Sequence, residues 1–373
     1  MDDSTNVRVI IAGGGTGGHL YPGIALAQEF ESRWKSDILF IGTTYGIENK
    51  VLPRTHYRFK KIWMRGLQRQ LTPGNLIFPL RLLVSIFQCA GTMLSFRPQV
   101  VIGTGGYVSG PALMAAMLLR LPTVIQEQNS YPGLVNRLLG KWAKQVHVTY
   151  EASLPYFKNR SVLVSGNPVR GEFNKISRSD AAKKFKLHEN KITLFVFGGS
   201  QGARAINKRV LESIENLLNI VDLQILWATG PNEYEMISKK VKSLDKRAVV
   251  LPYIDDMASA YAASDIALCR AGASTLAEIT MCGLPAILVP YPFAAAGHQD
   301  FNAKAMQQEG AALVIFERDF TTEILVAKVT ELVNDEKQRM KISAAARKLG
   351  RPTAARDIVA KIAGLINREA SNA

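Results

Sequence analysis

The same opening occurs twice in this chain. An apolar run at Val7–Ala12 is followed by GGGTGGHLYPG and then by an amphipathic stretch, Ile24–Phe30. A second apolar run, Ile192–Phe197, is followed by GGSQGAR and the amphipathic Ile206–Leu218. Each reads as strand, glycine turn, helix. Each also starts a series of its own. Ile38–Ile41, Val100–Ile102 and Thr123–Ile125 follow the first, and Leu223–Ala228, Val249–Leu251, Ile266–Cys269 and Ala286–Val289 follow the second. Short apolar strands alternating with helical patterns build a parallel sheet covered on both faces. The expected fold class is therefore α/β with two Rossmann-like domains, 1–168 and 169–350. A last helix, 351–373, opens at Pro352, a residue suited to a first turn, and is expected to pack back on the N-terminal domain.

Gly13, Gly15 and Gly18 fit GxGxxG between a strand and a helix, where backbone N–H groups can cradle phosphate. A dinucleotide site also needs an acid at the end of the second strand. That strand ends Phe40-Ile41-Gly42-Thr43, which disfavours NAD. A nucleoside-triphosphatase loop needs Lys after the last glycine, and here His19 follows. Two more loops share the build: GTGGYVSGP (Gly103–Pro111) and GGSQGAR (Gly198–Arg204). Any one of them also has a packing explanation, because glycine lets a helix approach a strand closely. Three across two domains point to a cleft that holds pyrophosphates from both sides, with Gly15, Gly105, Gly106 and Tyr107 as candidate diphosphate contacts. Further on, CRAGASTLAE follows a strand. Thr275 and Glu278 have capping-box spacing; the other reading has Glu278 accepting hydrogen bonds from the paired hydroxyls of a ribose. His298-Gln299-Asp300 offers either amide contacts to a sugar or the start of a helix.

Charge narrows the partners. Lys and Arg number 46 against 31 Asp and Glu, a formal +15 that calls for an anionic partner such as nucleic acid, a phosphate-rich substrate or a membrane surface. No acid occurs between Glu48 and Glu127, while Lys50, Arg54, Arg58, Lys60, Lys61, Arg65, Arg69, Arg81, Arg97 and Arg120 all do. Within this segment Leu76–Leu94 is apolar almost all round, broken by Pro79, Arg81, Ser85, Gln88, Gly91 and Thr92. It is too interrupted to span a bilayer comfortably. It suits an interfacial patch, with Arg65, Arg69, Leu76, Ile77, Phe78, Arg81 and Leu82 as candidate membrane contacts. The plainer readings are a solvated basic face and a helix buried in the core. Cys89, Cys269 and Cys282 stand far apart with no CxxC, as suits a reducing cytoplasm. The N-terminal MDDSTN is acidic and polar, unlike a signal peptide.

Taken together, GGGTGGHLYPG, GTGGYVSGP, QEQN (Gln126–Asn129), GNPVR (Gly166–Arg170), GGSQGAR, YIDDM (Tyr253–Met257), CRAGASTLAE and GHQDFNA (Gly297–Ala303) resemble the MurG family, glycosyltransferase family 28, over nearly the whole chain. The resemblance implies the GT-B fold, two Rossmann-like domains facing across a deep cleft. It implies an inverting N-acetylglucosaminyltransferase that moves GlcNAc from UDP-GlcNAc to the MurNAc 4-hydroxyl of undecaprenyl-linked lipid I. The product is lipid II, for peptidoglycan synthesis, cell shape and cell division. By motif match, Arg170, Ser200, Ile254, Ala273, Ser274, Thr275, Leu276, Ala277, Glu278 and Gln299 are donor-binding, with Thr16, Gly17, Gly18 and Asn129 from the facing domain. Glu278 would hold the ribose, Ile254 the uracil, Arg170 and Ser200 the diphosphate, and Gln299 the GlcNAc hydroxyls. The resemblance assigns Gly15, Gly105, Gly106 and Tyr107 to the acceptor diphosphate. The family often has two glutamines where His298-Gln299 stands here. His19 is the candidate catalytic base, its alternative being to orient a phosphate or cap the loop. No cofactor is implied, and with no DxD motif no metal is required. The implied partners are UDP-GlcNAc, lipid I, an anionic membrane surface and other cell-wall enzymes, with no nucleic acid. The implied place is peripheral, on the cytoplasmic face of the bacterial plasma (inner) membrane. Two other readings stand beside this one: a UDP-GlcNAc 2-epimerase-like enzyme and a non-catalytic nucleotide-sugar-binding protein. The second would not need His19.

Overall fold

The computed structural model describes residues 6–371 except 67–75, 170–172, 174–175, 200 and 245–246, with side chains through 367. The chain divides into two compact units, Met1–Arg170 with Pro352–Ala373, and Gly171–Arg351.

The first unit holds strands β1 (Val7–Gly13), β2 (Ser36–Gly42), β3 (Arg58–Lys61), β4 (Val100–Gly105), β5 (Thr123–Glu127), β6 (Gln145–Val148) and β7 (Val162–Val164). They form one sheet in the order β3-β2-β1-β4-β5-β6-β7, and every pairing is parallel. A parallel sheet buried on both faces requires near-continuous apolar strands, and VRVIIAG meets that need. Alternate residues serve opposite faces. Val7, Val9 and Ile11 pack with Leu20, Ile24 and Phe30 of the helix Gly17–Arg33 and with Ile358, Val359, Ile362 and Ile366 of the last helix, Ala354–Ser371. Ile10 and Ala12 pack on the other face with Cys89, Met93, Phe96 and Ala112. The last helix thus completes the first unit's core. Strand β3, RFKK, lies at the sheet's edge, and its charge discourages pairing with another chain.

The second unit holds β8 (Ile192–Phe197), β9 (Leu223–Ala228), β10 (Ala248–Leu251), β11 (Ile266–Cys269), β12 (Ala286–Leu288) and β13 (Leu313–Val314), ordered β10-β9-β8-β11-β12-β13 and again all parallel. Strands β3, β6, β7 and β13 carry no long apolar run, which is why periodicity alone does not reveal them. The amphipathic stretch after β8 is two helices, Arg204–Glu212 and Ile214–Leu218, parted at Ser213, whose hydroxyl bonds back to the Arg209 carbonyl at 2.8 Å. The first glycine turn is shorter than the motif suggests. The helix begins at Gly17, with Pro22 buried inside it, so Gly17, Gly18 and His19 form its first turn.

Candidate functional sites at the two strand-order reversals

In an open parallel sheet, ligands bind beyond the carboxyl ends of the strands where the winding direction reverses. In the first unit that point lies between β1 and β4. The turn after β1 and the turn after β4 meet there over the ring of His19. A Cβ on Gly105 would lie 2.8 Å from His19 Cδ2, and one on Gly106 (φ +75°) would lie 2.6 Å from the Gly14 carbonyl oxygen. Only glycine permits that approach in a left-handed conformation. Thr104 Oγ1 donates to the His19 carbonyl at 2.7 Å, clamping the two turns together. His19 Nδ1 lies 3.2 Å from the Gly14 carbonyl and 3.1 Å from Thr16 Oγ1. A carbonyl only accepts, so the hydrogen bond to Gly14 places the neutral ring's proton on Nδ1 and its lone pair on Nε2. Tyr107 closes the turn: a Cβ on Gly15 would be 3.2 Å from its ring.

Two buried carboxylates brace the loops at this end of the sheet, Glu48 the turn after β1 and Glu127 the loop after β5. Glu48 accepts from the Gly15 amide (2.8 Å), the Thr43 amide (3.0 Å) and the Thr43 hydroxyl (2.8 Å). Glu127 accepts from the Asn129 amide (2.9 Å) and side chain (3.1 Å), the Gly133 amide (2.9 Å) and the Asn136 side chain (2.8 Å). Each sits inside a full set of donors, as a buried charge must. Gln128 Nε2 ties β5 to β4 through the Thr104 carbonyl at 2.6 Å.

The second unit reverses between β8 and β11. Here the turn after β8 locks onto the turn after β9. Gly202 (φ +76°) lies so near the Thr229 carbonyl that a Cβ would overlap it. Asn207 Nδ2 donates to that same carbonyl (2.7 Å) and to Glu233 (2.8 Å), while its oxygen accepts from the Trp227 indole (3.0 Å). After β11 comes the helix Ala273–Cys282, with Gly272 at its N-cap. Glu278 is the sixth residue of that helix and Thr275 the third, so neither caps it. The capping-box expectation fails because the helix starts earlier than the spacing implied. Glu278 Oε2 instead accepts from the buried Tyr261 hydroxyl at 2.7 Å. Burial and the neighbouring carboxylate raise the Tyr261 phenol well above its ordinary range, keeping it a donor. Ser274 Oγ, in the same helix's first turn, is shielded from solvent and has no partner among the described residues. Gln299 Oε1 accepts from the Tyr291 amide (2.9 Å), which turns its NH2 outward as a donor. Ile254 is buried in the turn after β10.

With this geometry in place, the likeness to known proteins is direct. The glycosyltransferase family 28 N-terminal domain matches residues 9–148, and the family 28 C-terminal domain matches residues 193–359. A UDP-N-acetylglucosamine--N-acetylmuramyl-(pentapeptide) pyrophosphoryl-undecaprenol N-acetylglucosamine transferase of Desulforamulus reducens is 42% identical, over 97% of this chain and 100% of its own. The chain belongs to glycosyltransferase family 28. Among solved structures, Acinetobacter baumannii MurG superposes with a TM-score of 0.76 at 28% identity, covering 97% of this chain and 99% of that one. A Neisseria meningitidis UDP-GlcNAc 2-epimerase shares the fold alone, with a TM-score of 0.67 at 13% identity over 96% of this chain and all of its own.

Against this family 28 frame, the structure gathers Gly15, Thr16, Gly17, Gly18, His19, Gly105, Gly106 and Tyr107 at one reversal. The Gly15 amide is already held by Glu48, so it is not open to a phosphate. Asn129 stands at the end of β5, organised by Glu127. Ile254, the 273–278 segment and Gln299 all lie at carboxyl ends of the second sheet. Arg170, Ser200 and Arg69 lie outside the described residues. The helix Phe78–Phe96 buries Ser85, Cys89, Met93 and Phe96 and leaves Leu80, Leu83, Phe87 and Leu94 exposed, continuing Leu76 and Ile77. It is therefore not a helix wholly buried in the core. Phe78 and Leu82, expected at the membrane, are partly buried and pack against the core beneath the helix. Arg65 lies 5.6 Å over the Tyr45 ring and Arg81 5.5 Å over Trp63. Glu48, Thr104, Glu127, Gln128 and Tyr261 were not among the expected site residues. Thr104, Gln128, Tyr261 and the Glu48 bond to Gly15 act on residues distant in the chain, which no local spacing reports, whereas Glu127 organises the loop that directly follows its own strand.

Proposed function

We propose that this chain transfers GlcNAc from UDP-GlcNAc to the MurNAc 4-hydroxyl of undecaprenyl-pyrophosphoryl-MurNAc-pentapeptide, lipid I, with inversion at the anomeric carbon. The observation that carries the reading is the likeness to a transferase of that name across all of the relative's length. The geometry supports it step by step. The Ile254 backbone takes the uracil, Glu278 the ribose hydroxyls, Ser274 with Ser200 and Arg170 the diphosphate, and the Gln299 NH2 the sugar. In the first unit the acceptor diphosphate lies against Gly105, Gly106 and Tyr107, with Thr16, Gly17, Gly18 and Asn129 beside the reacting groups. His19 Nε2 carries the lone pair that takes the hydroxyl proton. As the new C–O bond forms, the anomeric bond to UDP breaks and its electron pair leaves on the β-phosphate oxygen. The helix N-terminus at Ala273 and the Arg170 guanidinium stabilise that charge.

The same reading places the chain peripherally on an anionic membrane, at the cytoplasmic face where a nucleotide sugar is available. Glu48 and Glu127 are the only acids between Asp37 and Glu151, and both are buried. The surface of that whole stretch therefore presents cations alone. Within it Leu76 and, on the helix Phe78–Phe96, Leu80, Leu83 and Phe87 are exposed, as are Leu118, Leu134, Leu138 and Trp142 further along the chain. Apolar side chains ringed by Arg and Lys are what an anionic interface holds.

Incubation with UDP-GlcNAc and a short-chain lipid I analogue tests the reaction. The expected products are UDP and the disaccharide-linked lipid. Formation of UDP-ManNAc with no disaccharide would replace the transferase reading with the epimerase one. Donor binding with no turnover would leave a binding protein.

A further inference from the structure

The helix carrying Glu278 is not its only support. Glu278 reaches its position on a side chain with three rotatable bonds, half-exposed at the edge of the second unit's ligand face. A carboxylate that is to meet two adjacent hydroxyls must hold its plane, or the second hydrogen bond is lost to rotation. One of the groups that hold it here is a buried phenol. Tyr261, in the neighbouring helix Met257–Ala262, is 2% exposed and gives its hydroxyl to Glu278 Oε2 at 2.7 Å. Its ring packs against three phenylalanines, with centroids 5.8 Å from Phe195, 5.9 Å from Phe197 and 5.8 Å from Phe173. Phe195 and Phe197 belong to β8 and are themselves stacked, so the phenol oxygen is anchored to the central strand of the sheet. Tyr261 fills one of the four lone-pair directions a carboxylate offers, and it fixes the remainder in space.

We propose that Tyr261 is a positioning residue that sets the Glu278 carboxylate for the ribose diol, and so determines discrimination between ribose and 2′-deoxyribose nucleotides. The inference rests on the ribose role proposed for Glu278, and the experiment separates the two. The probes are UDP and 2′-deoxy-UDP, titrated calorimetrically into the full chain. Wild type binds UDP more tightly. Glu278→Ala tests the underlying role and should remove the preference. If the preference survives in Glu278→Ala, the ribose role itself fails. Tyr261→Phe removes only the oxygen and keeps the ring. It should weaken UDP binding about tenfold, leave 2′-deoxy-UDP binding within about twofold, and so shrink the preference, as expected for one lost charge-assisted hydrogen bond. Phe197→Leu loosens the packing without touching the hydroxyl. It should lower the melting temperature while leaving the preference within about twofold. Loss of the preference in Glu278→Ala, with Tyr261→Phe still selecting like wild type, would overturn the proposal. So would an equal loss of preference in Phe197→Leu and Tyr261→Phe, because packing alone would then account for the effect.

Discussion

The two units share an architecture and differ in how they handle negative charge. Both wind outward from a central pair of strands, β1 and β4 in one, β8 and β11 in the other, and in both the glycine turn after the first strand of the pair interlocks with a neighbouring turn, after β4 in one and after β9 in the other. In the first unit, Glu48 and Glu127 are buried and surrounded by amide and hydroxyl donors. What the turns present is an imidazole with a defined tautomer. In the second, the half-buried Glu278 accepts a hydrogen bond from the buried Tyr261 phenol. The same contrast appears outside the sites. The first unit leaves an apolar stripe on its outer helix, whereas the second encloses Trp227 and its aliphatic neighbours in one core. A common fold thus supplies places for chemistry, and the side chains at the strand ends decide what that chemistry is.

Four measurements break or sharpen this contrast. The largest effect is expected at His19. His19→Ala should reduce turnover by about a hundredfold or more with donor affinity retained, because the lone pair it removes acts only on the reacting proton. A parallel loss of donor affinity in steady-state kinetics and titration would make His19 a phosphate ligand, and the units would then resemble each other more closely.

Acid should separate the units next. His147 is buried in β6 between Ser165 Oγ (2.8 Å) and Gln145 Oε1 (3.2 Å), and burial, aided by Lys361, holds its ring down at about 4. A lowered folded-state value means the neutral ring's contribution is complete above about pH 6.5 and is lost as pH falls through 4. The loss is on the order of 3 kcal/mol in the first unit. In the second unit Asp256, held down at about 2 by its hydrogen bond to Lys184 and those from Ser259, keeps its contribution until pH falls from about 4 towards 2. Calorimetric scans from pH 7 to 4 should therefore lower the first unit's transition before the second's. His147→Asn should flatten that dependence. An unchanged slope in the variant would assign the acid sensitivity elsewhere.

Glu278→Ala should weaken UDP-GlcNAc binding by about 1.5–3 kcal/mol, the usual worth of a hydrogen-bonded charge, and leave acceptor binding unchanged. With the capping role excluded by the helix start at Ala273, a fall in stability without a change in donor affinity would make Glu278 only a partner of Tyr261.

The smallest effect belongs to the outer helix. Arg81→Gln should weaken binding to anionic vesicles by about 1 kcal/mol at low salt and less at high salt, whereas Phe87→Ser should weaken it at all salt concentrations. Turnover of a short-chain soluble acceptor should be unaffected by either. Equal vesicle binding by wild type and both variants would leave the first unit's exposed stripe without a membrane role.

Much of the candidate site is legible in the linear chain because its geometry is local. A glycine turn between an apolar strand and a helix is contained within a dozen residues, and the reversal points follow from two such turns opening two alternating series. Strand β3 and the start of the first helix are not legible in that way. The charged RFKK becomes a strand because β2 has an open edge for it, and the helix runs back to Gly17 because the fold tolerates Pro22 inside it. The apolar stripe is a third case. Its composition is visible, yet Phe78 and Leu82 differ from Leu80 and Leu83 only in which side of the helix faces the sheet.

By itself, then, the sequence determined two α/β units, the glycine turns that open them, and a long stretch of chain with cations and almost no acids, since each of these is written in neighbouring residues. Only the tertiary structure decided that the last two acids of that stretch are buried, that the Gly15 amide is already bonded, and that a phenol seventeen residues away (261 to 278) holds Glu278. The physical reason is the same in each case: a hydrogen bond is satisfied by proximity in space, and the partners that supply it are brought together by burial of the strands and helices between them.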